Sequence, residues 1–402
     1  MILSFLTHLK LLKLDKNEKK YLEKIENIKK SKTNKNVLIV CSNDYYLVCY
    51  NYLISRERLK DSNIYGYWPH SLHVNRRRRY KFIEIAHKIK SNIYFKILKN
   101  KFQKLYKPLG LKDFFSLQEI VNNFLKNEDK IFAKILSNKI YNKIKHKEDI
   151  LKLRIMHFKC GENIYDTYIR YRHQARVDIT DLFLREIIEK TILSIIAAKK
   201  IQKKYKFKYF YAQYSTYIQH GIFVKVLLSM GVKVFTSNTL AQYNKKLSKK
   251  NFLHVENYKM FKNIFKKLNK KQERLNLAQS MLKKIFYGKR KNLKIMDYMS
   301  VDPFSKNYKK LNDKIDGVIF LPNFFESQRE WGKLIFLDFH DWINFTCETI
   351  VKYNLNIAIK PHPNMLKVDT DSIEFVENLK KKFSKIKWID PMTSNLDLFK
   401  KI

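Results

Sequence analysis

Short apolar runs set among lysine-rich stretches are the dominant pattern along this chain. "NVLIVC" (36–41) predicts a first buried strand, and the following "SND" a turn. The next hundred residues read as lysine-studded helical patterns, most basic in "SLHVNRRRRYKFIEIAHKIK" (71–90), where Arg76 to Arg79 suit a solvated face or a phosphate contact. A long helix is expected from about Asp181 to Lys204, with Asp178 or Thr180 as N-cap and lysines at its negative end. "FKYFYA" (207–212) then predicts a strand, "TYIQHGIFVKVLLSMG" a helix closed by Gly231, and "VKVFT" a second strand. In that helix Ile222, Phe223, Val226, Leu227 and Met230 follow the spacing of a buried stripe. Strand, helix, strand with short joins is the βαβ unit of a parallel sheet.

Residues 239–312 are polar, lysine-rich and helical in pattern, with a break at "VDPFSKN", and read as a connection. The alternation then restarts. "GVIFL" (317–321), "LNIAIK" (355–360) and "IKWI" (386–389) are strands, with helices over 338–353, where Asp338 is the cap, and 371–383. The division expected is 1–240, a Rossmann-like domain with helical insertions; 241–312, the helical connection; and 313–402, a partial second Rossmann-like domain. The fold class is α/β.

Composition changes the picture in one respect. The chain has 82 basic and 37 acidic residues among 402, a formal charge of +45. Such a surface attracts polyanions, and loose attachment to an anionic bilayer follows at low salt. Abundant Lys, Asn, Ile, Tyr and Phe beside scarce Gly and Pro is also what AT-rich codons impose. Cys41, Cys49, Cys160 and Cys347 lie far apart without metal spacing, which argues for a reducing compartment and against structural zinc. The first segment lacks a cleavage pattern and no window is a membrane span, so the expected location is cytoplasmic, peripheral on the inner membrane face at most.

"IAIKPHPN" (357–364) carries the candidate chemistry. Pro361 and Pro363 stiffen the strand exit and fix the direction of His362. In an open parallel sheet, ligands bind beyond the carboxyl ends of the strands. If "GVIFL" and "LNIAIK" are parallel, their following loops open on one edge, and Asn323, Glu326, Arg329, Lys360, His362 and Asn364 can converge on one ligand. Lys360 and His362 favour an anion such as a nucleotide phosphate, and His362 can supply a proton to it. A structural turn, with His362 bonded to a nearby carbonyl, fits the same residues.

Three stretches carry a resemblance: "GENIYDTYIRYR" (161–172), "YAQYSTYIQHGIFVKVLLSMGVKVF" (211–235) and "FLPNFFESQREWGKLIFLDFHDWINFTCETIVKYNLNIAIKPHPN" (320–364). Together they span about half the chain. They are similar to bacterial surface and capsular polysaccharide biosynthesis proteins, glycosyltransferase-like enzymes of GT-B architecture. The resemblance implies two Rossmann-like parallel-sheet domains, a nucleotide-sugar donor, and a glycan or lipid-linked glycan acceptor. More loosely, His362 and Pro363 resemble the His-Pro pair that contacts a cytidine-nucleotide phosphate in sialyl- and Kdo-transferases. Asp166 is then the candidate acceptor-side carboxylate and Arg170 its orienting partner, with Tyr217 and His220 also on the acceptor side; Asp166 and Arg170, four apart on one helix face, also read as an ordinary i,i+4 ion pair. Pro322 and Glu326 stand where the family often has His and Asp. The family continues past "WIDP" into a Gly-Thr or Gly-Ser turn and a glutamate-bearing helix, whereas this chain reads "TSNLDLFKKI", so the second domain is expected to be incomplete.

The expected function is sugar transfer from a nucleotide-activated donor in surface-polysaccharide assembly, with Asp166 and His362 catalytic and Lys360, His362, Pro363, Asn364, Asn323 and Glu326 around the donor. No metal or cofactor is expected. The alternatives are an inactive remnant or subunit of such an enzyme, and a nucleic-acid-binding protein. Lysines spread along the whole chain, aromatics at core periodicity and no recognised binding module speak against nucleic acid.

Overall fold

A computed structural model of the chain describes residues 14–28, 35–42, 45–69, 98–237, 244–255, 261–286, 314–330, 332–362 and 370–399. Arg76 to Arg79, the break at 301–307, Pro363 and Asn364 lie outside these residues. The chain divides into two compact units, Met1–Arg172 with Val177–Val255, and His173–Arg176 with Glu256–Ile402.

The first unit is built on a six-stranded sheet. Its strands are β1 (Asn36–Val40), β2 (Asn63–Trp68), β3 (Leu111–Ser116), β6 (Tyr209–Ala212), β7 (Lys233–Ser237) and β8 (Asn244–Lys246), in spatial order β3-β2-β1-β6-β7-β8. A small antiparallel hairpin, β4 (Arg154–Ile155) and β5 (Phe158–Lys159), stands apart. All pairings in the large sheet are parallel except β7 with β8. Val37 to Val40 are buried throughout, as a central strand covered on both faces must be. The order runs outward from β1 through β2 to β3, then restarts at β6 on the other side of β1. That reversal is the Rossmann-like switch point.

Helix 182–205 begins at Asp181, whose carboxylate accepts the Phe183 N–H at 2.9 Å. The cap is therefore neither Asp178 nor Thr180. Asp178 instead accepts the Thr180 N–H and hydroxyl at 2.9 and 2.7 Å, closing the turn that precedes the helix. Asp181 also accepts from Arg172 Nε at 2.6 Å and Tyr168 Oη at 3.0 Å, and its pKa is lowered by these donors against the opposing effect of burial. The apolar face, including Ile187, Ile188, Ile192 and Ile195, packs on helices 127–141 and 217–229. The unit β6, helix 217–229, β7 is the expected βαβ, ended by Gly231 at φ +84. Met230 is half-buried; the other four residues of the predicted stripe are buried.

Two strands contradict the helical reading of the region after β1. In β2, Tyr67 is fully buried and stacks on Phe223 at 4.5 Å, while Gly66 sits where a Cβ would meet the Phe114 ring at 2.6 Å. In β3 only the distal half, Phe114 to Ser116, is buried. Beyond residue 240 the chain is not wholly helical either, since β8 extends the first sheet.

The second unit holds three parallel strands, β9 (Gly317–Phe320), β10 (Ile357–Lys360) and β11 (Lys387–Trp388), in the order β11-β10-β9. Helix 339–352 starts at Asp338, which accepts the Asp341 N–H at 2.9 Å, as the sequence predicts. Helix 370–382 links β10 to β11. Ile315, Ala358, Ile389 and Leu398 form a small core with Val318 against it. Among the described residues, no helix is long and apolar enough to cross a membrane.

Candidate functional site

Parallel pairing of β9 with β10, in the register Gly317–Ile357 to Phe320–Lys360, sends both following segments off the same edge of the sheet. β11, also parallel, brings Asp390 to that edge. The Leu321 N–H donates to the Lys360 carbonyl at 2.9 Å and the Ile389 N–H to the Ile359 carbonyl at 2.8 Å, so all three exits are tied together by backbone.

The segment after β9 is fixed from within. Asn323 accepts the Phe325 N–H at 3.0 Å and its amide lies 3.4 Å from Glu326 Oε1. Phe324 and Phe325 are buried as anchors, Phe324 against Phe375 at 4.6 Å and Phe325 against His173 at 5.2 Å. Between these anchors and Ser327 the Glu326 side chain projects to solvent. Gln328 donates to the Phe324 carbonyl and accepts the Phe339 N–H, and Arg329 donates to the Leu337 carbonyl. Arg329 thus holds the loop at its far end and is buried.

Lys360 departs from the picture of an exposed cation. It is 1% exposed, and its ammonium donates to the Thr393 carbonyl at 2.7 Å and to Asn395 Oδ1 at 2.6 Å. Burial lowers its pKa to about 8, with Asp390 opposing the fall. Two of its three donors tie β10 to the segment after β11. His362 is half-buried, and burial, then the Lys360 charge, hold its pKa below the usual histidine value. At neutral pH the ring is therefore neutral and meets an acceptor through one N–H.

In the first unit the four predicted acceptor-side residues lie on two helices. Asp166 (helix 161–172) is 2% exposed, whereas Arg170 one turn on faces solvent. Tyr217 and His220, both half-buried, sit in the first turn of helix 217–229. Tyr217 has φ +54, a left-handed conformation that costs an ordinary residue on the order of 1 kcal/mol. The His220 ring meets Tyr214 edge-on at 5.6 Å.

What holds this turn is a network that local sequence does not announce. Asn163 Nδ2 donates to the carbonyls of Ser215 and Tyr217, each at 3.2 Å, and its Oδ1 accepts from Lys225 at 2.5 Å. Thr167 Oγ1 takes the Ile218 N–H at 2.9 Å, filling the place of a side-chain cap that Thr216 does not supply. Ser215 Oγ accepts the His254 N–H at 2.9 Å and lies 3.2 Å from His254 Nδ1, with His254 fully buried. Gln219 donates to Tyr171 Oη at 2.7 Å, and Tyr67 Oη donates to the Gln219 carbonyl at 3.2 Å. Gly221 is required by the close approach: a Cβ there would overlap Asn163 Nδ2 and the Ser215 carbonyl. The signal was present only as the Asn163 and Thr167 positions within "GENIYDTYIRYR", four apart on one helix face.

Comparison with family models, curated proteins and solved structures finds no match to this chain.

Proposed function

We propose that the chain is a glycosyltransferase-type enzyme of surface-polysaccharide assembly, of GT-B type, taking a sugar from a nucleotide-activated donor. The observation that carries the reading is the common direction of the exits of β9 and β10, the first leading into Asn323 and Glu326 and the second into His362. The neutral His362 N–H donates to a donor phosphate oxygen; as the acceptor hydroxyl oxygen bonds to the anomeric carbon and the bond to the phosphate breaks, the hydroxyl proton is released to solvent and the charge left on the departing phosphate is met by that N–H. Lys360 acts as a fixed positive charge behind the site. The acceptor is a glycan or lipid-linked glycan, and Asp166, Arg170, Tyr217 and His220 are the acceptor-side residues; a buried Asp166 serves there by orienting neighbours.

The test is thermal unfolding with CMP-, CDP-, UDP- and GDP-sugars. A true donor at 100 times its dissociation constant stabilises by about 2.7 kcal/mol, and His362→Ala removes that gain. Silence from every nucleotide sugar sinks the proposal. A second reading, a binding subunit without catalysis, is favoured by the commitment of Lys360 to Thr393 and Asn395. It predicts donor stabilisation without turnover.

A further inference from the structure

We infer that residues 261–286 are a docking surface for an anionic lipid bilayer, an assignment independent of the sugar-transfer reading. Two helices make it, Phe261–Lys266 and Lys271–Phe286. Every residue from 261 to 284 is exposed except Leu268, which is half-buried. A helix of 16 residues, about 24 Å long, is marginal in water without a packed face. Yet its apolar side lies open.

In the shorter helix Phe261, Ile264 and Phe265 recur at the 3–4 spacing and are 55%, 43% and 40% exposed. In the longer helix Leu275, Met281 and Leu282 share one side and are 39%, 39% and 52% exposed. Leu277, 62% exposed, widens the apolar arc at its edge, Lys271 and Arg274 lie within it, and Gln272, Glu273 and Asn276 occupy the remaining side. Gln272 donates to Asn276 Oδ1 at 3.0 Å, and Lys270 pairs with Glu273 at 3.4 Å.

Charge selects the occupant. Residues 261–286 contain eight lysines and arginines and one glutamate. A second copy would bring an equal positive charge against the first and be repelled. An anionic bilayer attracts the lysines at its headgroups while Phe and Leu side chains enter the acyl boundary, the arrangement that a basic amphipathic helix lying in the interface adopts. Lys262 and Lys266 of the first helix and Lys283 and Lys284 of the second flank the apolar side at headgroup level.

The experiment is co-sedimentation of the full chain with vesicles of phosphatidylcholine alone or of phosphatidylcholine with one-third phosphatidylglycerol, at physiological salt. The chain is expected on the anionic vesicles and not on the neutral ones. Leu275→Glu with Leu282→Glu lowers partitioning by about tenfold or more, without moving the unfolding midpoint, since both sites are exposed. Lys283→Gln with Lys284→Gln lowers it about fivefold per lysine, and serves should the glutamate variant misfold. Lys139→Gln with Lys143→Gln, the same loss of charge on an exposed part of the first unit, changes it by less than about twofold. Equal losses from both lysine pairs would assign binding to the general field of the chain and overturn the inference. So would unchanged binding by the glutamate variant, absence of binding to anionic vesicles, or a wild-type dimer in sedimentation velocity that the glutamate variant dissociates.

Discussion

The segments that leave β6 and β10 follow parallel strands of similar length, but they are held in opposite ways. After β6 every turn of chain is locked from outside. Asn163, Thr167 and His254, distant along the sequence, bond the backbone and hydroxyl of Ser215 and the Ile218 N–H at the start of the next helix. At the end of β10 the lock is made by the strand's own last residue, Lys360, to Thr393 and Asn395, and His362 stands half-buried two positions on. A strand exit saturated by its own protein is scaffold. One that leaves a half-buried histidine at the carboxyl end of a parallel strand is where a ligand is expected.

Substitutions measure that contrast directly. Gly221→Ala forces a methyl group onto the Asn163 amide and the Ser215 carbonyl, and should cost about 3 kcal/mol in denaturant unfolding. Asn163→Ala, which removes the donor to two carbonyls and one of the two acceptors of the Lys225 ammonium, should cost about 2 kcal/mol. His362→Ala should stay within about 0.5 kcal/mol; a loss as large as that of Asn163 would make the two exits alike and erase the distinction.

Asp181→Ala tests the scaffold side at a smaller scale. It removes the cap of helix 182–205 together with the acceptor of Arg172 and Tyr168, and should cost about 1–2 kcal/mol. The subtlest test is titration of Lys360, whose Cε resonance should move with a midpoint of about 8 rather than 10.5. Because folding lowers this pKa, the unfolded chain binds more protons between about 8 and 10.5. The Lys360 contribution to stability is therefore complete above 10.5 and is lost as pH falls through 8. A midpoint at the ordinary value would mean an exposed ammonium, and the closed exit of β10 would open.

How much of this could be read from sequence depends on distance along the chain. β9, β10 and helix 339–352 were legible because each is a short apolar pattern with its own punctuation, Asp338 included. The central βαβ was legible for the same reason. β2 and β3 were not: "NIYGYW" and "LKDFFS" carry glycine, lysine and aspartate within the run, and become strands as β1 pairs with β2 and β2 in turn with β3. The parallel register of β9 and β10, which sends their exits the same way, was legible as well. The fate of Lys360 could not be read, since its acceptors come from residues 33 and 35 positions later. Nor could the lock on Ser215, contributed by Asn163 and His254 at separations of 52 and 39.

Among the described residues the large sheet ends on one side at β3, where Lys112 and Asp113 are exposed, and on the other at the three-residue β8, where Lys246 is exposed. An incoming strand from another molecule would have to bring its own backbone alongside those charges at either rim. Among the described residues, both rims of this sheet thus carry the charges that discourage edge-to-edge pairing.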